Sequence, residues 1–239
     1  SKSGNTIFGH QAGANATGSN ATHSNTYYGH YAGHSVTTGD KNTYIGHIAG
    51  LGGTATGDDN TSVGHAALYT ITSGTNNVAL GSGAAAALTT ANSTIFIGKN
   101  AGATVTVTNS TNSDGTIGIG LNALNALTSG AANTAIGYEA LKTAATESQS
   151  VAIGYQSMAI SANSSNNTMA GYKSGYDLSA GSDNNTGIGH NALSGTHGAG
   201  ASEKNTAIGS GSMVGAIDGA AHNTAVGYNT LAAVTSGDN

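Results

Sequence analysis

Cysteine, proline and tryptophan are absent from this 239-residue chain, and only 7% of its residues are charged. Without cysteine there can be no disulfide and no thiol chemistry, which leaves the redox compartment open. The six lysine and arginine residues are scattered singly and the net charge is −5. We therefore expect no nucleic acid partner, because no basic patch can hold a phosphate backbone. We also expect no membrane insertion, because no run of about 18 apolar residues occurs.

Large apolar residues are scarce as well. Leucine, isoleucine, valine and phenylalanine together stay below the share of about 20% that marks an ordinary packed core. Composition alone would therefore predict disorder. Disorder, however, normally accompanies high net charge or simple low complexity, and neither describes this chain. The regular placing of the apolar residues predicts order instead.

An internal repeat runs through the whole chain. The phrase Asn-Thr-x-apolar-Gly recurs 13 times, mostly at spacings of 17 or 18 residues, with longer gaps before Gly29, Gly120 and Gly209. Such a fixed period is the sequence signature of a repeat architecture. The repeat glycines are Gly9, Gly29, Gly46, Gly64, Gly81, Gly98, Gly120, Gly137, Gly154, Gly171, Gly189, Gly209 and Gly227.

Two columns of residues define the strand within each repeat. The residue before the glycine is apolar in every copy, and the residue two places before that one is always threonine, valine or isoleucine. A two-residue period of branched side chains predicts a β-strand with one face buried. We therefore expect both columns, the threonines included, to point inward.

These patterns predict an all-β chain, a parallel β-solenoid or β-roll of about 13 coils with 17–18 residues each. A helix is excluded because glycine and β-branched residues at this density would cost too much helix propensity. Residues 1–239 are expected to form a single repeat domain, a fragment of a longer fibre. Each coil offers few large apolar side chains, so burial of a further face in a symmetric homo-oligomer would stabilise it. The small residues three places after each glycine are predicted to form that contact.

The repeat resembles those of two classes of surface fibre. The phrases Asn-Thr-Ala-Ile-Gly-Tyr at 133–138 and Ser-Val-Ala-Ile-Gly-Tyr at 150–155 look like the head repeats of trimeric autotransporter adhesins, which are left-handed parallel β-rolls assembled as trimers. The phrase at 223–231 resembles the Asn-Thr-Ala-x-Gly-Tyr-x-Ala-Leu repeats of bacteriophage tail fibres. The resemblance implies a left-handed homotrimer located outside the cell, on a cell surface or a virion. The coil here is longer than the adhesin coil, which favours a phage-type or other extracellular fibre.

Histidines in the repeat are the first candidate site. In a trimer, one histidine from each chain could form a three-nitrogen site for zinc, nickel or iron. Tyrosines occupy the same position in other copies, however, and tyrosine replaces histidine on a half-buried surface more readily than as a metal ligand. We therefore expect no metal and no cofactor. The histidines that directly follow a repeat glycine are His10, His30, His47, His65 and His190, and the tyrosines are Tyr138, Tyr155, Tyr172 and Tyr228.

Acidic turns and an aromatic patch are further candidates. Aspartates between coils could offer oxygen ligands to calcium, but they are also ordinary turn formers, and no loop gathers enough carboxylates. An aromatic patch in the first coils could form one stacked ladder that recognises carbohydrate or protein, or it could be a local capping cluster. The aspartates are Asp40, Asp58, Asp59, Asp114, Asp183 and Asp238. The patch comprises Phe8, Tyr27, Tyr28, Tyr31 and Tyr44.

No catalytic constellation is recognisable, so we expect no enzyme and no catalytic residue. The sequence instead predicts a structural and adhesive fibre segment that presents a binding surface to a cell-surface glycan or protein receptor. The alternative is a single-chain solenoid that binds an extended lattice such as polysaccharide or ice, although an inward threonine column argues against ice. A glycan-degrading tailspike would need clustered carboxylates, which the low charge content disfavours.

Overall fold

The computed structural model describes residues 4–16, 24–105, 114–161, 163–195, 200–215 and 219–233. Within them the chain is all-β, with no helix, and it forms a parallel β-solenoid of about 11 turns. Thirteen three-residue strands occur, and each one is the triplet that precedes a repeat glycine, as predicted. The strands are β1 (Thr6–Phe8), β2 (Thr26–Tyr28), β3 (Thr43–Ile45), β4 (Thr61–Val63), β5 (Val78–Leu80), β6 (Ile95–Ile97), β7 (Ile117–Ile119), β8 (Thr134–Ile136), β9 (Val151–Ile153), β10 (Thr168–Ala170), β11 (Thr186–Ile188), β12 (Thr206–Ile208) and β13 (Thr224–Val226).

The chain divides into two compact units. The first, Ser1–Ile119, contains β1 to β7, and the second, Gly120–Asn239, contains β8 to β13. In each unit successive strands pair in parallel without a register shift, so that Thr26 lies opposite Thr43, and Ala135 lies opposite Ala152. Equivalent residues of successive coils therefore stack in columns.

The inner and outer faces of the strands are the reverse of those predicted. In β3 the middle residue, Tyr44, is 1% exposed, whereas Ile45 is only half-buried. In β9 Ala152 is fully buried and Ile153 is 42% exposed. The threonine and apolar columns thus point outward, and the prediction that they point inward was wrong. The middle residue of each strand is the one that faces the interior of the coil.

Two positions in each coil pack against each other, the middle strand residue and the residue six places later, and we call them the core pair. Further along the coil, Ile71, Leu88, Leu127 and Leu178 are also fully buried. In some coils the strand supplies a large side chain and glycine stands opposite. A Cβ on Gly33 would lie 2.6 Å from Cδ1 of Tyr27, and one on Gly175 would lie 2.8 Å from Cγ of Met169. The pairs of this kind are Ile7–Gly13, Tyr27–Gly33, Tyr44–Gly50, Phe96–Gly102 and Met169–Gly175.

The other coils reverse this arrangement. A small strand residue is followed six places later by leucine or methionine, as with Ala135 and Leu141, which are both fully buried. Ala79–Ala85 is intermediate, because both members are small. The second member of the pair has a φ between +47° and +59° in every coil, whether it is glycine or not. The remaining reversed pairs are Ser62–Leu68, Gly118–Leu124, Ala152–Met158, Gly187–Leu193, Ala207–Met213 and Ala225–Leu231.

The small residues three places after each repeat glycine also lie inside the coil. Ala32, Ala49 and Ala67 are fully buried, and so are Ser157 and Ser174 further along the chain. The Ser174 hydroxyl donates to the carbonyl oxygen of Gly187 at 2.7 Å. The prediction that this column contacts a sister chain was wrong, because its side chains are already enclosed by their own chain.

The asparagine of the repeat phrase joins successive coils through buried hydrogen bonds. Oδ1 of Asn25 accepts the backbone N–H of Asn42 at 2.7 Å, and Nδ2 of Asn42 donates to the carbonyl oxygen of Gly57 at 2.9 Å. Oδ1 of Asn42 in turn accepts the backbone N–H of Asn60 at 2.9 Å. Each amide therefore satisfies backbone groups that burial would otherwise leave unpaired. This explains why asparagine recurs beside the outward threonine.

The repeat glycine is required by both its conformation and its neighbours. All thirteen have a φ between +127° and +142°, which side chains rarely adopt. A Cβ on Gly29 would also lie 2.5 Å from the carbonyl oxygen of Gly46. The glycine column thus lets successive coils stack closely where the chain bends at the end of each strand.

Candidate functional site

The largest candidate surface is the outward β-face, which we define as the first and third residues of every strand. None of these side chains is charged and none carries an amide. The first position is threonine, valine or isoleucine throughout, and the third is apolar. In the second unit Ile153 and Ile188 are each 42% exposed, and Ile208 is 38% exposed. Each unit therefore carries an uncharged strip with an exposed apolar column.

Such a strip is suited to contact with another regular surface. Soluble monomers rarely expose a continuous apolar patch of more than a few hundred Å². Because the strands pair without a register shift, the threonine hydroxyls and the neighbouring apolar groups repeat at the strand spacing of about 4.8 Å. The threonine column, expected to point inward, points outward, so its orientation no longer disfavours ice binding.

A second candidate is the column that directly follows the repeat glycine. In the first unit it is a ladder of four exposed histidines, in which the ring centroids are 5.2 Å apart for His10 and His30, 5.1 Å for His30 and His47, and 5.2 Å for His47 and His65. Tyr31 packs edge-on against His30 at 4.3 Å. Loss of solvation, and then repulsion from His47 and His10, lower the pKa of His30 below its usual value.

An open cavity of about 340 Å³ adjoins this ladder. Imidazole rings, the Tyr31 ring and two aliphatic side chains form most of its wall, and none of the lining residues is a carboxylate or a lysine. Its volume is at the lower end of the range for small-ligand sites, about 300–1,000 Å³. The cavity is lined by His30, Tyr31, His34, His47, Ile48 and Leu51, together with Ser35.

In the second unit the same column is a ladder of tyrosines. The ring centroids of Tyr138 and Tyr155 are 4.9 Å apart, those of Tyr155 and Tyr172 are 5.2 Å apart, and His190 continues the stack at 5.0 Å from Tyr172. The planes differ by only 6–8°. Of the five predicted histidines, four therefore stack together and the fifth stacks on tyrosine. Within the described ranges, no group of three or more His, Cys, Asp or Glu side chains is placed to hold a metal ion.

Polar groups flank the tyrosine ladder. Lys142 donates to Oε1 of Glu139 at 2.7 Å, and Gln156 donates to its Oε2 at 2.8 Å. The hydrogen bond from Lys142 is the main cause that lowers the pKa of Glu139. Lys173 stands in the same column as Glu139 and Gln156, and its Nζ lies 4.9 Å from the ring centroid of Tyr176. The negative charge of Glu139 is thus balanced by Lys142.

The aspartates predicted between coils cap the backbone of the preceding turn. Oδ1 of Asp58 accepts the N–H of Asp40 at 2.7 Å, and Oδ1 of Asp183 accepts the N–H of Ser165 at 2.7 Å. Asp114 accepts the N–H of Asn92 in the same way at 2.7 Å. These three carboxylates lie several coils apart along the chain, and each has a structural hydrogen bond of its own. Asp238 lies outside the described residues.

The aromatic patch of the first coils separates into three places. Tyr27 and Tyr44 stack at 5.6 Å in the core, where burial raises the pKa of both phenols well above the usual range. Phe8 and Tyr28 stack at 4.9 Å on the outward β-face. Tyr31 lies against the histidine ladder. The prediction of a single ladder was wrong, because residues 27 and 28 point to opposite faces of one strand.

Sequence reasoning missed one ionisable residue. Glu147 is fully buried in a turn column of glycine, alanine and serine. Its Oε2 accepts the N–H of Thr146 at 3.1 Å, while Oε1 has no hydrogen-bond partner. Burial raises the pKa of this carboxyl. The signal was available in the alignment of the repeats, because Gly130 and Ser164 hold the same position in the neighbouring coils.

Comparison with known proteins gives no assignment, since no protein-family model, curated protein or solved structure matches the chain. In the part of the chain that the structure describes, no helix is long and apolar enough to cross a bilayer.

Proposed function

We propose that the chain is a non-enzymatic segment of an extracellular fibre, on a cell surface or a virion, in which copies of the chain pack together through the outward β-face. The observation that supports this most directly is the uncharged strip of exposed apolar side chains along the strands of each unit. Enclosing that strip would remove apolar area from water without leaving a buried charge unpaired.

A second copy of the chain is a well-matched occupant for this face. It would present the same columns at the same strand spacing, so apolar residues could meet apolar residues along the whole strip. Closed symmetry is the usual form of such self-association. The proposed number of chains, three in parallel, comes from the resemblance to trimeric autotransporter adhesin heads. The aromatic column beyond the strand ends is then the surface offered to a cell-surface glycan or protein.

One observation favours a second candidate function. The threonine column points outward and repeats in register beside an apolar column, which would suit a single-chain solenoid bound to an extended lattice such as polysaccharide or ice. Both candidates need the same face. They differ in what covers it, a sister chain or a lattice.

The native mass in solution separates the two candidates. Light scattering coupled to size exclusion, at several concentrations, should give three times the chain mass of 23.1 kDa. Replacing Ile153 and Ile188 with aspartate should shift the mass to that of the monomer while the circular dichroism spectrum is kept. Ile160→Asp is the matched control, because Ile160 is 45% exposed but lies outside the outward β-face.

A wild-type chain that is folded and monomeric at every concentration would contradict the fibre proposal. The lattice candidate would then be tested by ice recrystallisation inhibition and by sedimentation with insoluble polysaccharide. In those assays Ile153→Asp/Ile188→Asp should lose binding and Ile160→Asp should retain it.

A further inference from the structure

Four consecutive coils place a histidine in one exposed column. His10, His30, His47 and His65 stack with centroids 5.1–5.2 Å apart, which creates three neighbouring pairs of imidazoles. Stacking alone does not require histidine, because Tyr138, Tyr155 and Tyr172 fill the same column in the second unit at 4.9–5.2 Å. What the four histidines add to an aromatic stack is imidazole nitrogen.

Neutral imidazole is a preferred ligand of zinc, copper and nickel ions, whereas calcium and magnesium require oxygen. A metal ion held by two imidazoles lies about 2.0–2.1 Å from each nitrogen. Rings stacked at 5.1 Å are close enough to approach one ion by rotation of their side-chain torsions, and both His30 and His47 are exposed. The open cavity of about 340 Å³ beside His30 and His47 leaves room for the water molecules that would complete the coordination.

We propose that neighbouring histidines of this ladder, and His30 with His47 above all, bind a divalent transition-metal ion such as Ni²⁺, Cu²⁺ or Zn²⁺. Two imidazole nitrogens of one chain would hold the ion and solvent would supply the remaining ligands. This site differs from a site on the axis of a trimer, because it needs no second chain. It is therefore independent of the proposed fibre function.

Two double variants with equal numbers of histidines test the site. His30→Tyr/His47→Tyr leaves His10 and His65 without a histidine neighbour in the ladder. His10→Tyr/His65→Tyr removes as many imidazoles but keeps the pair at 5.1 Å. Tyrosine is the replacement in both because the second unit shows that the column accepts stacked tyrosines. Thermal unfolding followed by circular dichroism would verify that both variants are folded.

The measurement is isothermal titration with Ni²⁺ at pH 7.5. Loss of groups that only orient a ligand lowers metal affinity by about 10–100-fold, so loss of the ligands themselves should weaken binding at least about tenfold in His30→Tyr/His47→Tyr. His10→Tyr/His65→Tyr should retain the affinity of the strongest site. Binding should also disappear at pH 5, because protons compete for the nitrogens.

Equal affinities in the two double variants would overturn the proposal, and so would the absence of Ni²⁺ binding by the wild-type chain. A readout without substitution is the imidazole ¹⁵N spectrum with added Zn²⁺. Resonances of His30 and His47 should shift, while His190 in the tyrosine ladder should not. A shift spread equally over all histidines would count against the site.

Discussion

The two units of the chain fill the same coil in opposite ways. In the first unit the strand often supplies the large side chain, as with Tyr27, Tyr44 and Phe96, and glycine stands six places later. In the second unit the strand is usually alanine or glycine, and leucine or methionine stands six places later, as with Leu141. The backbone at the later position keeps the same left-handed φ in both units. The coil can therefore take its large side chain from either member of the pair.

The column after the repeat glycine differs between the units in a second way. It is stacked histidine in the first unit and stacked tyrosine in the second, with nearly equal ring separations. Ring geometry is thus shared while the chemistry is not. A neutral imidazole offers a nitrogen lone pair, and a phenol offers a hydroxyl group. The units are alike as scaffolds and differ as surfaces.

Converting a coil of the first unit to the type found in the second is the strongest test of this comparison. Phe96→Ala should lower stability by about 3–5 kcal/mol, because it empties a fully buried site. Gly102→Leu alone should also destabilise, since a Cβ there already meets the Phe96 ring. The double variant should recover at least half of the loss, which thermal and urea unfolding followed by circular dichroism would measure.

The reciprocal change in the second unit, Ala135→Phe with Leu141→Gly, is the control. The double variant Ala135→Phe/Leu141→Gly should likewise lose less free energy of unfolding than the two single variants lose together. Simple additivity in both units would show that the two positions do not share one volume.

The asparagine column gives the next largest expected effect. Asn60→Ala should cost about 1–3 kcal/mol for each buried group left without its partner, namely the N–H of Asn77 and the carbonyl oxygen of Gly74. Asn60→Ser should cost less, because Ser150 in the second unit still accepts the N–H of Asn167 at 3.3 Å. Chemical denaturation would measure the free energy of unfolding of both variants. Equal losses in Asn60→Ala and Asn60→Ser would show that a serine hydroxyl cannot replace the asparagine oxygen.

Replacing Glu147 is expected to raise the free energy of unfolding, by a smaller amount than the losses predicted above. Its folded-state pKa lies above its unfolded value, so the folded state binds the proton more tightly, and stability falls as pH rises above about 4.3. Glu147→Gln should therefore be more stable than wild type by about 1–3 kcal/mol at pH 7, with the difference shrinking toward pH 4. Unfolding midpoints between pH 4 and pH 8 measure this. Glu203→Gln is the control, because Glu203 is a half-buried surface residue. A pH-independent difference would show that ionisation is not the cause.

Much of the architecture could be predicted from the sequence. The repeat located every strand, because the phrase that ends in Gly46 or Gly154 carries the β-branched period that a strand needs. The parallel stacking followed from the constant period. The face of the strand could not be predicted by hydrophobicity, because Ile153 is more apolar than Ala152 and yet points outward. The coil interior admits only one large side chain per core pair. This limit arises in the folded coil and cannot be read from the strand sequence alone.

The candidate surfaces were predictable in part. The histidine column was found from its position after the glycine, and the structure shows four of its members stacked. The separation of Tyr27 from Tyr28 could have been found by applying the two-residue period of the strand to both side chains. The burial of Glu147 could have been inferred from Gly130 and Ser164 at the same position of the neighbouring coils, but only the folded turn shows that Oε1 has no hydrogen-bond partner.

The coil built on Ala79 and Ala85 shows how such a repeat can change over generations. A direct step from the Phe96–Gly102 type to the Ala135–Leu141 type must pass through a coil that is either hollow or overfilled. Two alanines avoid the steric conflict, and both Ala79 and Ala85 are fully buried. From this coil a single substitution, Ala85→Leu, leads to the Ala135–Leu141 type. The Phe96–Gly102 type needs two substitutions, because a Cβ at the second position would meet the phenylalanine ring. Exchange between the two kinds of coil is therefore easier in one direction than in the other.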